Sequence, residues 1–240
     1  MAVSDLSMSV IKGTIHGLIG PNGAGKSTVF NLIAGVLPLT QGEIRFKGER
    51  ISGLRPSEVC RRGIARTFQA TTLFREYTVF QNVLVAAHRL AAPGLGSALV
   101  WSRTYRGREQ AARERARTLL AALNLAAVAD EVAGSLPHRD QKALVLAMAL
   151  ATGAELVILD EPMAGLAAQE KDATTEALRG LRREGLTILL VEHDMRAVMG
   201  VCDTITVLDH GVRIAEGTPR EIQENPAVIE AYLGVEDPGA

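Results

Sequence analysis

The stretch of sequence that decides the fold lies at residues 20–28 and reads Gly20-Pro21-Asn22-Gly23-Ala24-Gly25-Lys26-Ser27-Thr28. It matches the pattern G-x-x-x-x-G-K-[ST], in which a glycine-rich loop binds phosphate groups. The glycines allow the backbone to turn tightly, so that successive N–H groups can point at phosphate oxygens. Lys26 would add a positive charge for the β and γ phosphates of a nucleotide, and the Ser27 hydroxyl could bind Mg²⁺.

The residues on either side of this loop have the character that a phosphate site needs. Residues 15–19 read as a short strand, and residues 28–34 read as a helix. The N-terminus of a helix carries a partial positive charge and unpaired N–H groups, both of which favour an anion. We therefore expect a nucleotide-phosphate site between a strand and a helix, since a chance match of the motif would not bring this context with it.

The remaining sequence alternates between strands and helices. Apolar runs predict strands at 14–19, 43–47, 64–68, 155–160, 186–191, 204–208 and 212–215, and helices between them include 168–183 and 194–201. Continuous apolar runs suit strands that are buried on both faces of a parallel sheet. This order predicts an α/β fold with a mostly parallel sheet.

The middle of the chain differs from both ends. Between residues 78 and 150 the sequence predicts helices at 79–90 and 107–125 and no strand. We therefore expect one domain over 1–240, with an α/β core at 1–77 and 151–240 and a helical subdomain inserted at 78–150.

Composition limits the classes of function. The chain has 240 residues, of which 47% are apolar and 22% charged, and its net charge is −1, which argues against a nucleic-acid partner. The two cysteines form no disulfide framework, so a reducing compartment is expected. The apolar run at 143–159 is interrupted by Thr152, Gly153 and Glu155 and is too short to span a membrane.

Four further residues could complete the chemistry of the loop. Asp160 and Glu161 follow an apolar strand, where Asp160 could bind Mg²⁺ and Glu161 could act as general base on water. His193 follows the strand at 186–191 and could contact the γ-phosphate or the catalytic water. Gln69 ends another strand, from which its amide could reach the Mg²⁺ or a water bound to it. Taken singly, an acidic pair often only ends a strand and a lone histidine is more often structural.

These residues occur in an order that resembles a known family, the ATP-binding cassette (ABC) ATPases. The resemblance covers essentially the whole chain and is closest to the ATPase subunits of branched-chain amino-acid importers, through the runs at 15–20, 63–69, 192–195 and 228–234. It implies a P-loop NTPase fold, ATP and Mg²⁺ as ligands, and hydrolysis of ATP. Implied partners are a second ATPase subunit, two integral membrane permease subunits and, indirectly, an extracytoplasmic solute-binding protein. The chain would then lie in the cytoplasm, peripheral on the inner face of the membrane.

The sequence departs from this family in the signature motif, which acts on the ATP bound by the partner subunit. The family has Leu-Ser-Gly-Gly-Gln, or Leu-Pro-Tyr-Gly-Gln-Gln in the importer branch, whereas this chain has Leu136-Pro137-His138-Arg139-Asp140-Gln141. Arg139 replaces a glycine and Asp140 a glutamine. Either the composite site that uses this signature hydrolyses ATP poorly, which we favour, or Arg139 acts as an arginine finger. A defective signature favours a heterodimer, because a homodimer would carry the defect twice.

Two smaller departures concern other segments. The run Met163 to Ala167 ends in alanine where the family has Asn or Asp, which puts the coupling of the two ATP sites in doubt. Residues 2–7 resemble the second strand of the family, and the preceding strand, with its adenine-stacking aromatic residue, is missing, so weakened nucleotide affinity is expected.

Two functions of different classes follow from the sequence. The first is the ATP-hydrolysing subunit of a branched-chain amino-acid importer. The alternative is a catalytically weak, nucleotide-binding regulatory subunit of a heterodimeric ABC complex, which the altered signature suggests. A soluble ABC protein acting on ribosomes or DNA fits poorly, because the chain has a single cassette and is nearly neutral.

Overall fold

A computed structural model describes residues 2–67, 73–91 and 103–233. These residues form two compact units, which fall within Met1–Arg66 plus Leu156–Ala240 and within Thr67–Glu155. The second unit thus begins earlier and ends later than the helical subdomain expected at 78–150.

The first unit contains all the strands that the structure describes. They are β1 (Ile15–Ile19), β2 (Arg45–Phe46), β3 (Glu49–Arg50), β4 (Ile64–Arg66), β5 (Leu156–Asp160), β6 (Thr187–Val191), β7 (Thr204–Asp209) and β8 (Val212–Gly217). Six of them form one sheet in the order β4-β5-β6-β1-β7-β8, and β2 pairs with β3. All neighbours in the large sheet are parallel except β7 and β8. The predicted α/β fold with a mostly parallel sheet is confirmed.

The three central strands are mostly apolar and are buried along their whole length, as the sequence predicts. Every residue of β5, β6 and β1 is buried. In the register of these strands, Val191 of β6 lies beside both Asp160 of β5 and Leu18 of β1. Since the strands are parallel, their carboxyl ends lie at one edge of the sheet and at nearly the same level.

Helices surround this sheet and form the second unit. They are α1 (Lys26–Ile33), α2 (Pro56–Arg61), α3 (Val79–Ala91), α4 (Arg103–Ala122), α5 (His138–Ala151), α6 (Ala168–Arg183), α7 (Met195–Val201), α8 (Pro219–Gln223) and α9 (Pro226–Leu233). In the second unit α3, α4 and α5 pack against one another around buried apolar side chains, including Val83, Leu120 and Leu144. Among the described residues, no helix combines the length and the apolar character that crossing a bilayer requires.

Two segments differ from the sequence prediction. The strand expected at 43–47 is a hairpin of two short strands, because Lys47 and Gly48 both have positive φ, of 54° and 81°, as a tight two-residue hairpin turn requires. Residues 2–7 form no strand; Ser4 N–H donates to the Gly211 carbonyl at 2.8 Å, and Val3 and Leu6 pack against the core.

A chain of polar side chains crosses the sheet from the buried His16 of β1 to the exposed Glu216 of β8. His16 is buried, and its Nε2 lies 2.8 Å from the Thr206 hydroxyl oxygen, which in turn donates to the Glu216 carboxylate at 3.0 Å. Because the Thr206 proton goes to Glu216, its oxygen is the acceptor for an Nε2–H of His16. Burial lowers the pKa of His16, while the Glu216 charge acts in the opposite direction.

This burial predicts a loss of stability in mild acid. The folded state favours the neutral form of His16. The contribution of His16 to the free energy of unfolding is therefore present above its unfolded-state pKa of 6.5, and it is lost as the pH falls below that value. We expect the free energy of unfolding to fall between about pH 7.5 and about pH 5.5, and His16→Gln to flatten part of that slope. Urea unfolding at the two pH values, for the unaltered protein and for His16→Gln, measures this change in the free energy of unfolding.

The matched control is His210→Gln, because His210 is exposed. This control should keep the slope of the unaltered protein. An unchanged slope in His16→Gln would show that another group causes the acid sensitivity.

Candidate functional site

The loop at 20–28 joins the end of β1 to the start of α1, as predicted. Gly20 has φ of 151°, and a Cβ atom there would lie 2.0 Å from the Leu208 carbonyl oxygen. Gly25 has φ of 102° and stands directly before α1. The Gly211 N–H donates to the Ala24 carbonyl at 3.0 Å and so ties the loop to the turn between β7 and β8. Side chains are therefore excluded where the backbone must turn toward a ligand.

Lys26 places its charge over the loop. Its Nζ donates to the carbonyl oxygens of Gly20 at 2.7 Å and Pro21 at 2.9 Å. Burial lowers the pKa of Lys26, and the nearby carboxylates of Glu161 and Asp160 act in the opposite direction. The Lys26 ammonium group therefore interacts with both the loop and the acidic end of β5. A lysine that binds the terminal phosphates of a nucleotide needs this position.

The acidic end of β5 is held by a buried ion pair. Arg66, the last residue of β4, donates from Nη2 to Oδ2 of Asp160 at 3.0 Å, and both side chains are more than nine-tenths buried. Arg66 also donates from Nη1 to the Asn31 side-chain oxygen of α1 at 2.5 Å. One guanidinium therefore links two strands to the helix that follows the phosphate loop. Arg66 was not singled out from the sequence, although a charged residue in an apolar strand was a usable signal.

Glu161 adopts a backbone conformation that is uncommon for a residue with a side chain. Its φ is 50°, and its N–H donates to the Val191 carbonyl of β6 at 2.9 Å. Such positive φ values concentrate at functional sites, where the surrounding structure holds the strain. Oε2 of Glu161 lies 3.8 Å from Nδ1 of His193, and both side chains are accessible to solvent. The structure thus brings the predicted base and the predicted γ-phosphate ligand together.

The oxygen donors present fit a magnesium ion that is shared with a nucleotide. Ser27 is exposed in the first turn of α1, and Asp160 ends β5. Over the described ranges, no group of three or more His, Cys, Asp or Glu side chains could hold a metal by itself. Mg²⁺ commonly takes one or two protein oxygens and completes its shell with phosphate and water, so this small donor set suits it. Gln69, the third predicted ligand, lies outside the described residues.

The signature segment lies in the second unit, at the start of α5. Leu136 is buried, Pro137 precedes the helix, and Gln141 donates from its side chain to the Leu136 carbonyl at 2.8 Å. Arg139 and Asp140 pair with each other, with Nε of the arginine 3.2 Å from Oδ1 of the aspartate. The guanidinium that replaces the family's glycine is therefore engaged by the carboxylate next to it, and His138 is exposed beside it.

A glycine-rich loop between a buried strand and a helix, with an acid at the end of another parallel strand of the same sheet, defines a P-loop nucleotide-binding protein. Comparison with protein families agrees with this class. A family model described as ABC transporter matches residues 3–164, and one described as branched-chain amino acid ATP-binding cassette transporter matches residues 212–238.

Individual relatives match over nearly the whole chain. The high-affinity branched-chain amino acid transport ATP-binding protein LivG of Salmonella typhimurium is 43% identical over 235 residues, covering 98% of this chain and 92% of that protein. Its counterpart in Escherichia coli K12 is 42% identical with the same coverage. The probable counterpart of Archaeoglobus fulgidus is 35% identical over 98% of this chain and 91% of its own length.

Solved structures give the same result. The crystal structure of an ATP-binding cassette of an ABC transporter in its ADP conformation has a TM-score of 0.83 and 32% identity, covering 97% of this chain and 92% of that one. A nucleotide-free cassette has a TM-score of 0.80 and 30% identity, covering 96% and 92%. The chain belongs to the ABC transporter family and, within it, groups with the branched-chain amino acid ATP-binding proteins. The predicted family, fold and ATPase class are confirmed.

The Arg66–Asp160 pair yields a stability prediction. Replacing Arg66 with Met keeps an unbranched side chain of similar reach but leaves the Asp160 carboxylate buried without its guanidinium. Breaking a buried ion pair in this way lowers the free energy of unfolding by about 3–5 kcal/mol. Chemical unfolding of the two proteins measures the difference.

Arg45→Met serves as the control, because its pair with Glu43 is exposed on both sides and should contribute little. If the two substitutions lowered stability equally, the buried pair would not have the structural importance assigned to it.

Proposed function

We propose that this chain is the ATP-hydrolysing subunit of a membrane importer, with branched-chain or closely related amino acids as the transported solute. The single observation that carries the proposal is the meeting of Lys26, Asp160, Glu161 and His193 at one edge of the sheet. The names of the relatives support the choice of solute. In this proposal integral membrane permease subunits would provide the path across the bilayer, and this chain would lie peripherally on the cytoplasmic face.

Each residue of the site that the structure describes has a role that its position supports. The loop amides of residues 20–28 and Lys26 bind the phosphates of ATP. Ser27, Asp160 and Gln69 would hold Mg²⁺, which neutralises charge on the β and γ phosphates when it is bound. Glu161 accepts a proton from the attacking water, and His193 contacts the terminal phosphate. The strained backbone at Glu161 supports this assignment, because it fixes the direction of the carboxylate before substrate arrives.

The ATP-binding residues that this chain retains favour an ATP-hydrolysing subunit over a catalytically weak regulatory subunit. The phosphate loop, Asp160, Glu161 and His193 are all present on this chain's side of an ATP site, whereas Arg139 and Asp140 lie in the signature offered to a partner. A partner with an intact signature would complete a working site on this loop. We therefore propose a heterodimer of ATPase subunits, joined to two permeases and served by an extracytoplasmic solute-binding protein.

Glu161→Gln tests the proposed base. Glutamine has nearly the same shape but cannot accept the proton, so turnover in the assembled complex should fall by roughly 10²–10⁴-fold while ATP binding is retained. Phosphate release and nucleotide binding are measured on the same preparation. Glu184→Gln, at an exposed position after α6, is the matched control and should be unaffected. Normal turnover in Glu161→Gln would refute the assignment of the base and favour a regulatory subunit.

Arg139→Gly tests the reading of the signature as defective. The exposed Arg139 is held in a pair with Asp140, so we expect that removing its side chain relieves an obstruction and raises turnover. Regaining one backbone hydrogen bond to phosphate, about 1 kcal/mol, corresponds to roughly fivefold. Arg139→Ala is measured alongside, since it removes the guanidinium without adding backbone freedom. A fall in both variants would instead identify Arg139 as an arginine finger.

A further inference from the structure

Glu192 is a buried acid to which the roles described above assign no task. It stands between the end of β6 and His193, and its side chain is fully buried. One carboxylate oxygen, Oε1, accepts the N–H of Met163 at 2.6 Å. The other, Oε2, accepts the N–H of His193 at 3.3 Å and lies 3.9 Å from Nδ1 of the same histidine. The two oxygens thus face two different segments of the chain.

These two segments carry the two proposed catalytic side chains. Met163 follows Glu161 by two residues, in a turn that is closed by the Ala164 N–H donating to the Glu161 carbonyl at 3.2 Å. His193 is the residue whose ring faces Glu161 at 3.8 Å. A single carboxylate therefore spans the turn after β5 and the loop after β6, which are far apart in sequence.

A carboxylate at this position is unfavourable for folding unless it has a specific task. Burial disfavours the charged form and raises the pKa of Glu192, although the amides of Met163 and His193 oppose the effect. A buried position of this kind is more readily filled by an apolar side chain. A side chain with two acceptor oxygens is, however, the group that can satisfy both backbone donors at once.

We propose that Glu192 is a positioning residue for ATP hydrolysis, which holds His193 at a fixed place relative to Glu161. The inference rests on the proposed roles of His193 and Glu161. The Oε1 bond anchors the turn after Glu161, and the Oε2 bond anchors the loop that presents His193. Because hydrolysis depends on the exact placement of the terminal phosphate and water, loosening one anchor lowers turnover without removing a group that touches ATP.

Glu192→Gln keeps the hydrogen bond from the Met163 N–H and removes the one from the His193 N–H. Glutamine keeps one acceptor oxygen for Met163 but presents an NH₂ group to the His193 N–H, so two donors face each other. In the assembled complex we expect turnover to fall roughly tenfold to hundredfold, with ATP affinity unchanged. The thermal midpoint should change little, since loss of a hydrogen bond is offset by removal of a buried charge. Glu192→Asp, which keeps the charge but is too short for both partners, should also lower turnover while the exposed-site variant Glu184→Gln does not.

A double-mutant cycle with His193→Ala distinguishes positioning from general support of the fold. If Glu192 acts through His193, Glu192→Gln lowers turnover no further once His193 is alanine. A further loss equal to that in the unaltered protein, or normal turnover in both Glu192 variants, would overturn the proposal. If His193→Ala alone left turnover unchanged, the role assigned to His193 would be wrong and the inference would fail with it.

Discussion

The site depends on the parallel register of three buried strands. β5, β6 and β1 are adjacent and parallel, and Asp160, Val191 and Leu18 lie at one level across them. The three strands therefore end at the same edge of the sheet, which is the edge where α/β proteins bind their ligands. The acidic pair, the histidine and the phosphate loop come from distant parts of the sequence, and this register brings them together.

Buried charges fix the residues at that edge. Asp160 is held by Arg66, which also reaches Asn31 of the helix after the phosphate loop. Glu192 accepts backbone N–H groups from the segments that carry Glu161 and His193. Such groups are unfavourable to bury, and each is compensated by donors in a defined geometry. The edge is therefore preorganised before a nucleotide arrives, which is how electrostatic stabilisation contributes to catalysis.

The sequence predicted the features that depend on local pattern. Apolar runs located β5 and β6, and the glycine spacing located the loop, because both signals are contained in a few neighbouring residues. Features set by contacts distant in sequence were not predicted. The partnership of Arg66 with Asp160 and the bridge made by Glu192 each join residues from different strands or turns. The sequence predicts one strand at 43–47, because the residue pattern does not show the hairpin turn that Lys47 and Gly48 make with positive φ.

The central claim is that the phosphate loop, the acidic end of β5 and the loop after β6 bind one nucleotide together. A crystal structure of the assembled transporter with ATP and Mg²⁺ tests it most directly. We expect the phosphates of ATP to lie against the amides of residues 20–28 and Lys26, with the terminal phosphate in contact with His193 and a water beside Glu161. A terminal phosphate that contacted neither Lys26 nor His193 would contradict it.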